Sequence, residues 1–401
     1  MSTLAGRTIV LGVTGGIAAY KAVELCRQLV DAGATVLPVM PEGATRFVGP
    51  TTFSALAIEP VRTELFDPSD PIPHTRLGQR ADVVVVCPAT ARCIGAYAAG
   101  LSDDLLTATL LATRAPVVVC PAMHTEMWEH PAVQENLQTL ARRGVVVVPP
   151  EEGRLAGGDE GQGRLADPSE IVAAIERVLG PSDLDGTKVL VSAGGTREAI
   201  DPVRVIPNRS SGKQGYALAA AAAARGAEVT LVSTVDLPTP PGVVLCRVNS
   251  AADMAEVIVP LAPSQDVIVM AAAVADFTVA EPAPTKIKKH DRPPSLELVA
   301  THDFLVDLGA AKPAGQLLVG FAAETEDLRA NAAAKLAGKR LDLIVANDVS
   351  APQVGFEHDT NAVTLLDAEG TATDVPLATK RDVADAIWDA VVRLRSVREK
   401  T

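Results

Sequence analysis

The sequence predicts an α/β chain of two doubly wound parallel-sheet (Rossmann-like) domains, the second carrying a small antiparallel extension. Short runs rich in Val, Ile and Leu alternate with longer Ala-rich amphipathic stretches, as in parallel strands buried on both faces. That rhythm stops at a turn-rich segment, Gly180-Pro-Ser-Asp-Leu-Asp-Gly186, and then restarts. Each half also opens with a strand, a glycine turn and a helix. The turns are Gly12-Val-Thr-Gly15-Gly16-Ile17 and Ser192-Ala-Gly194-Gly195-Thr196, a geometry that aims backbone N–H groups at a phosphate.

In the first half, strands are expected at 8–13, 35–40, 83–87, 116–120 and 145–148, with helical patterns at 17–32, about 94–112, 132–143 and 168–179. The second half places strands at 188–192, 228–233, 243–248, 266–270, 317–321 and 341–346, with Ala-rich helices at 216–225 and 328–337. Residues 362–367 and 373–376 flank Ala-Glu-Gly, which reads as an antiparallel hairpin, and a last amphipathic helix runs from about 380 to 395. The expected division is 1–180, a linker at 181–187, and 188–401. At 401 residues the chain is long enough for two cores.

Composition narrows the partners. Hydrophobic residues make up 48% of the chain but aromatics only 3%, which leaves little for base-stacking platforms. A formal charge of −13 disfavours a phosphate-backbone partner, so no nucleic acid is expected. No apolar run approaches the roughly 20 residues of a membrane span. The five cysteines lack CxxC pairing, and their odd number, with no signal peptide, fits a reducing cytoplasm. Small-molecule substrates remain.

Chemistry-bearing residues of the first half gather at strand ends. Cys87-Pro-Ala-Thr90 ends one strand and Pro121-Ala-Met-His124-Thr-Glu-Met127-Trp128 ends the next, with Gly100-Leu-Ser-Asp103-Asp104 between them. In an open parallel sheet these ends converge on one crevice beside Gly15 and Gly16. His74, on a proline-flanked loop ahead of a strand, is a residue type suited to proton transfer at physiological pH. Residues 7–179 resemble the phosphopantothenoylcysteine decarboxylase family of flavin enzymes. The resemblance implies a flavodoxin-like, flavin-binding domain with the FMN phosphate over Gly15, Gly16 and Ile17. It places Thr90 and Asp103 near the cofactor, His74 as the catalytic histidine, and His124 and Met127 on the substrate.

Two positions depart from that family's pattern. His124 stands where asparagine is usual, and an imidazole still donates to a carboxylate. In the flap-like segment Arg154-Leu-Ala-Gly157-Gly158-Asp159-Glu160-Gly161-Gln-Gly163-Arg164, Gly157 replaces a cysteine that serves as proton donor in the family. Asp159, Glu160 or water then donates, or the domain releases the enethiol, or it is degenerate. The alternative function is accordingly an active ligase with an impaired decarboxylase.

The second half is more specific. Asp201-Pro-Val-Arg204-Val-Ile-Pro-Asn208-Arg-Ser210-Ser211-Gly212-Lys213 lacks the first glycine and spacing of a Walker loop, yet offers hydroxyl and backbone donors at a helix start. Met270-Ala271-Ala272-Ala-Val-Ala-Asp276 comes off a strand end with no bulk before the aspartate, allowing close approach of a ligand. Lys286-Ile-Lys288-Lys289 is a basic knot in an acidic chain. Residues 186–395 resemble the phosphopantothenate–cysteine ligase family, and the whole chain resembles the bacterial bifunctional family in which decarboxylase and ligase are fused for coenzyme A biosynthesis. By that likeness CTP activates the carboxylate of 4′-phosphopantothenate as an acyl-cytidylate, and cysteine displaces CMP. Asn208 would stabilise that intermediate, Arg204 would shape the site and Lys286 would neutralise the triphosphate. Ala271, Ala272, Asp276, His302, Asp303, Phe304, Leu305, Phe321, Lys335 and Lys339 would hold CTP, with Ser210, Ser211 and Lys213 on substrate and Asp276 on Mg²⁺. The family also suggests homo-oligomers: trimeric decarboxylase and dimeric ligase contacts, together a possible dodecamer, with His74 acting on FMN held by a neighbour.

Overall fold

The computed structural model describes residues 3–66, 70–288, 295–324, 327–348 and 358–398. Its contacts divide the chain into units 1–180 and 181–401.

The first unit runs β1 (Thr8–Gly12), α1 (Ala19–Asp31), β2 (Thr35–Val39), α2 (Pro50–Ala57), α3 (Pro73–Arg80), β3 (Val83–Ala89), α4 (Ala91–Ala99), α5 (Leu105–Ala112), β4 (Val117–Pro121), α6 (Thr125–Trp128), α7 (Pro131–Arg142), β5 (Val146–Val147), β6 (Glu151–Arg154), β7 (Glu160–Arg164) and α8 (Pro168–Leu179). Five parallel strands lie in the order β2-β1-β3-β4-β5, and β6 and β7 form a separate antiparallel hairpin. The strand order reverses between β1 and β3, and a ligand crevice forms at the carboxyl ends of such a pair. Alternate residues of β1 feed opposite cores. Ile9 and Leu11 pack with Leu25, Leu29 and Ile171 of α1 and α8, while Val10 packs with Leu77, Ile94 and Leu110 of α3, α4 and α5.

Two expectations change here. The single helix expected over about 94–112 is two: Gly100 closes α4 in a left-handed conformation (φ +74°), and Asp104 caps α5 by accepting from the Thr107 amide at 2.8 Å. His74 sits not on a loop but in the first turn of α3, where Pro73 at the helix start supplies a pre-set φ.

The second unit runs β8 (Lys188–Ala193), β9 (Arg197–Ala199), β10 (Val205–Pro207), α9 (Lys213–Ala224), β11 (Glu228–Ser233), β12 (Val243–Arg247), α10 (Ala251–Leu261), β13 (Val267–Met270), β14 (Phe277–Val279), β15 (Leu298–Ala300), α11 (Phe304–Ala311), β16 (Leu317–Glu324), α12 (Leu328–Gly338), β17 (Leu343–Asp348), β18 (Thr360–Asp367), β19 (Ala372–Thr379) and α13 (Lys380–Arg398). Its main sheet has the order β12-β11-β8-β13-β16-β17-β18-β19, with six parallel strands followed by the antiparallel pair β18 and β19. Val189 and Val191 face α9 and α13, while Leu190 faces α10, α11 and α12. Residues 181–187, expected as linker, pack on this unit, and Leu184 is fully buried in its core.

Candidate active sites

In the first unit, the turn after β1 is stitched to the end of β3. The Thr14 hydroxyl donates to the Pro88 carbonyl at 2.6 Å and accepts from the Thr90 amide at 3.1 Å. A Cβ on Gly15 would lie 2.7 Å from the Gly43 carbonyl oxygen, so a side chain there would close the gap between two loops. Beside this turn opens a cavity of about 1150 Å³. Gly15, Gly16, Ile17, Thr90, His124 and Met127 line it, together with Lys21, Arg46, Arg92, Arg154 and Arg164, five basic residues that sequence reasoning did not assign. Burial, and then the Arg164 charge, hold the Lys21 ammonium below its usual pKa.

Asp103 and His74 are not on that lining. Asp103 is exposed and 3.4 Å from the Arg92 guanidinium, while its neighbour Asp104 faces the cavity. His74 Nδ1 is buried and finds no partner among the described residues. Only topology could have separated Asp103 from Asp104, because the α5 cap fixes which carboxylate turns inward.

His124 caps the start of α6 and stands between two carboxylates. Nδ1 meets Glu126, and Nε2 lies 3.2 Å from Asp159 Oδ2 on the loop joining β6 to β7. The hydrogen bond with Glu126 chiefly raises the pKa of His124 above the ordinary imidazole value. A Cβ at Gly157 would sit 3.4 Å from the same Asp159 oxygen. The residue next to the missing side chain is thus the one that reaches His124.

The second unit builds its site around the Gly194-Gly195 turn. The Ala273 amide donates to the Gly194 carbonyl at 2.8 Å, the Thr196 amide donates to the Ala273 carbonyl at 3.2 Å, and the Asn208 side-chain amide donates to that same carbonyl at 3.3 Å. A Cβ on Gly195 would collide with the Asn208 carbonyl, so only glycine lets the Asn208 loop lie against the turn. A cavity of about 490 Å³ opens here. Asn208, Ala272, Asp276, Phe321, Lys335, Lys339 and the loop His302–Leu305 line it, and Lys339 pairs with Asp303 at 2.7 Å. An adjoining cavity of about 120 Å³ takes Ala271, Ser210 and Ser211.

Three predicted residues lie elsewhere. Lys286 is exposed and lines neither cavity. Arg204 donates to the Ile287 carbonyl at 2.9 Å, and Asp201 accepts from the Ile287 amide at 3.2 Å, so the pair fastens the Lys286–Lys288 segment. Lys213 begins α9 and pairs with Asp359 at 2.5 Å. Lys289 lies outside the described residues. Among the described residues no cluster of three metal-ligating side chains surrounds Asp276.

Two open sheets, the first parallel and the second mainly so, each with a cavity at a glycine turn, define a two-domain enzyme whose first half is a flavoprotein domain. Residues 2–180 match the Flavoprotein family, and residues 184–394 match the family of the DNA/pantothenate metabolism flavoprotein C-terminal domain. The chain is 49% identical to the coenzyme A biosynthesis bifunctional protein CoaBC of Mycobacterium tuberculosis (strain ATCC 25618 / H37Rv), covering 96% of each chain. It is 46% identical to that of Bacillus subtilis (strain 168), covering 98% of each. A crystal structure of the C-terminal domain of a CoaBC protein is similar at 39% identity and a TM-score of 0.46, over 53% of this chain and 97% of that one. The chain belongs to the family of coenzyme A biosynthesis bifunctional proteins, enzymes with decarboxylase and ligase activities. The reading of a ligase with an impaired decarboxylase is not favoured.

Proposed function

We propose that the second unit joins 4′-phosphopantothenate to cysteine at the expense of CTP, and that the first unit decarboxylates the product with FMN. The convergence of Ala272, Asp276, Phe321, Lys335 and Lys339 on one cavity beside Asn208 is the observation that carries the ligase half. The substrate carboxylate attacks the α-phosphorus of CTP. An acyl–phosphate bond forms as the α–β bond breaks, and pyrophosphate leaves. The amine of cysteine then attacks the acyl carbon, and CMP departs. Asn208 holds the acyl-cytidylate, the alanine run admits it closely, and Lys335 and Lys339 supply positive charge already in position. Lys286 adds charge on the triphosphate, its segment held by Arg204 and Asp201. Mg²⁺ is held by one or two carboxylates together with substrate phosphates, so Asp276 fits as a protein ligand.

In the first unit the bare cradle at Gly15 and the basic lining fit an anionic cofactor, with Gly16, Ile17 and Thr90 also in contact. When bound, FMN supplies the two-electron oxidation that labilises the carboxylate of the cysteine moiety. His124, cavity-facing and with its pKa raised chiefly by the hydrogen bond with Glu126, binds that carboxylate, with Met127 beside it. Asp159 takes the place of the side chain absent at Gly157, its Oδ2 lying 3.4 Å from a Cβ there, and passes on to the enethiol a proton drawn from the His124 ring 3.2 Å away. The place of His74 off its own unit's cavity supports a site completed by a second copy, in keeping with a trimer of first units and a dimer of second units. Five unpaired cysteines support a reducing cytoplasm, and no helix among the described residues is long and apolar enough to cross a membrane.

Incubation of the full chain with 4′-phosphopantothenate, cysteine, CTP and Mg²⁺ is expected to give the amide and pyrophosphate, followed by CO₂. No amide would overturn the ligase half. No flavin absorbance after reconstitution with FMN would overturn the other.

A further inference from the structure

The cavity of about 120 Å³ in the second unit has one charged residue on its lining among the described residues, and that residue is Lys380. It is only 7% exposed, at the start of α13. Its backbone is accounted for: the amide donates to the Asp359 carbonyl, and the carbonyl accepts from Gln214 at 3.1 Å. Its ammonium has no hydrogen-bond partner among the described residues. The carboxylate that acts on it, Asp359, is 86% exposed at its side chain and is taken up by Lys213 at 2.5 Å. Burial, and then the Lys213 charge, push the Lys380 pKa down. A cation this buried is tolerated when closely paired, and the carboxylate that acts on this one is already held by Lys213.

The opposite wall has the right chemistry to complete such a pair. Gly212 starts the 12-residue helix α9, whose first amides have no intrahelical acceptor and whose dipole favours negative charge. Ser210, Ser211 and Asn361 stand on the same lining. The volume is well below the roughly 300–1,000 Å³ of pockets that enclose a whole small molecule. Ala272, Ala273, Phe321 and Ala323 wall both this space and the cavity of about 490 Å³, so it forms an annex of the larger site.

We infer that this annex is a phosphate subsite in which Lys380 is the counter-cation of the bound group. The inference rests on the ligase reading of the second unit and adds to it a residue, Lys380. Two sources could supply the phosphate: the nucleoside triphosphate, or the phosphomonoester end of the acid substrate.

The test uses the full chain and no turnover. CTP with Mg²⁺ is titrated by calorimetry without the acid, and 4′-phosphopantothenate without nucleotide, into the wild type, Lys380→Met and Lys380→Arg. The expected result is an affinity loss of about 10- to 100-fold for one ligand in Lys380→Met, the worth of one charged hydrogen bond. Lys380→Arg should recover most of it, because it restores charge. The ligand that loses affinity identifies the source. Affinities for both ligands within twofold of wild type would overturn the inference, as would an arginine variant no better than methionine. If Lys380→Met does not fold, Lys380→Gln takes its place under the same criteria. Failure of the wild type to bind either ligand would instead sink the ligase reading.

Discussion

At the scale of single residues, His124 makes the sharpest prediction. It is held by Glu126 on its own helix and by Asp159 on the hairpin loop, and both carboxylates favour the charged ring. Its folded pKa is raised, so its contribution to stability is complete below the unfolded value of about 6.5 and is lost as pH rises through the raised value. The ring should titrate by NMR above the ordinary imidazole midpoint. Glu126→Gln should bring that midpoint down, and Asp159→Asn should bring it down less, following the order of the causes. A midpoint unmoved by Glu126→Gln would show that the charge is held by something else. The unusual identities of His124 and Gly157 are visible in the sequence. Their meeting through Asp159 is not, because it depends on how far the β6–β7 loop reaches.

At the scale of elements, helix α13 gives the clearest energetic prediction. Trp388 is fully buried between α13 and α9, and its indole N–H donates to the Leu218 carbonyl at 3.0 Å. Trp388→Ala removes that packing and the indole hydrogen bond to a carbonyl that keeps its intrahelical partner, so a loss of about 3–5 kcal/mol, almost all of it from the cavity, is expected in urea unfolding of the second unit. A loss under about 1 kcal/mol would mean that the two helices are held mainly by their other contacts. The same element shows why much of the fold was legible. Its apolar positions recur at helical spacing, as the valine runs of β3 and β4 announce buried strands. Elements without such a pattern were missed. The hairpin β6–β7 is Glu-, Gly- and Arg-rich with no apolar alternation. Helix α3 is short and polar, and only Pro73 marks its start. The break between α4 and α5 did have signals, Gly100 and the Asp104–Thr107 cap, but apolar residues on both sides masked them.

At the scale of the whole molecule, two cores without a shared sheet imply two cooperative transitions rather than one. Each proposed ligand belongs to one of them. A ligand that binds only the native form stabilises it by about 2.7 kcal/mol at 100 times its dissociation constant. For a domain of about 200 residues, that corresponds to a rise of about 5–11 °C in the midpoint. Calorimetry of the full chain should therefore show FMN moving one transition and CTP with Mg²⁺ moving the other. Trp388→Ala should lower the transition that CTP raises, because Trp388 lies in the core that also packs Ala271 and Phe321 from the walls of the second unit's two cavities. One transition that both ligands move together would mean that the units unfold as a single body, and the division of labour between them would then need a coupling that neither core supplies by itself.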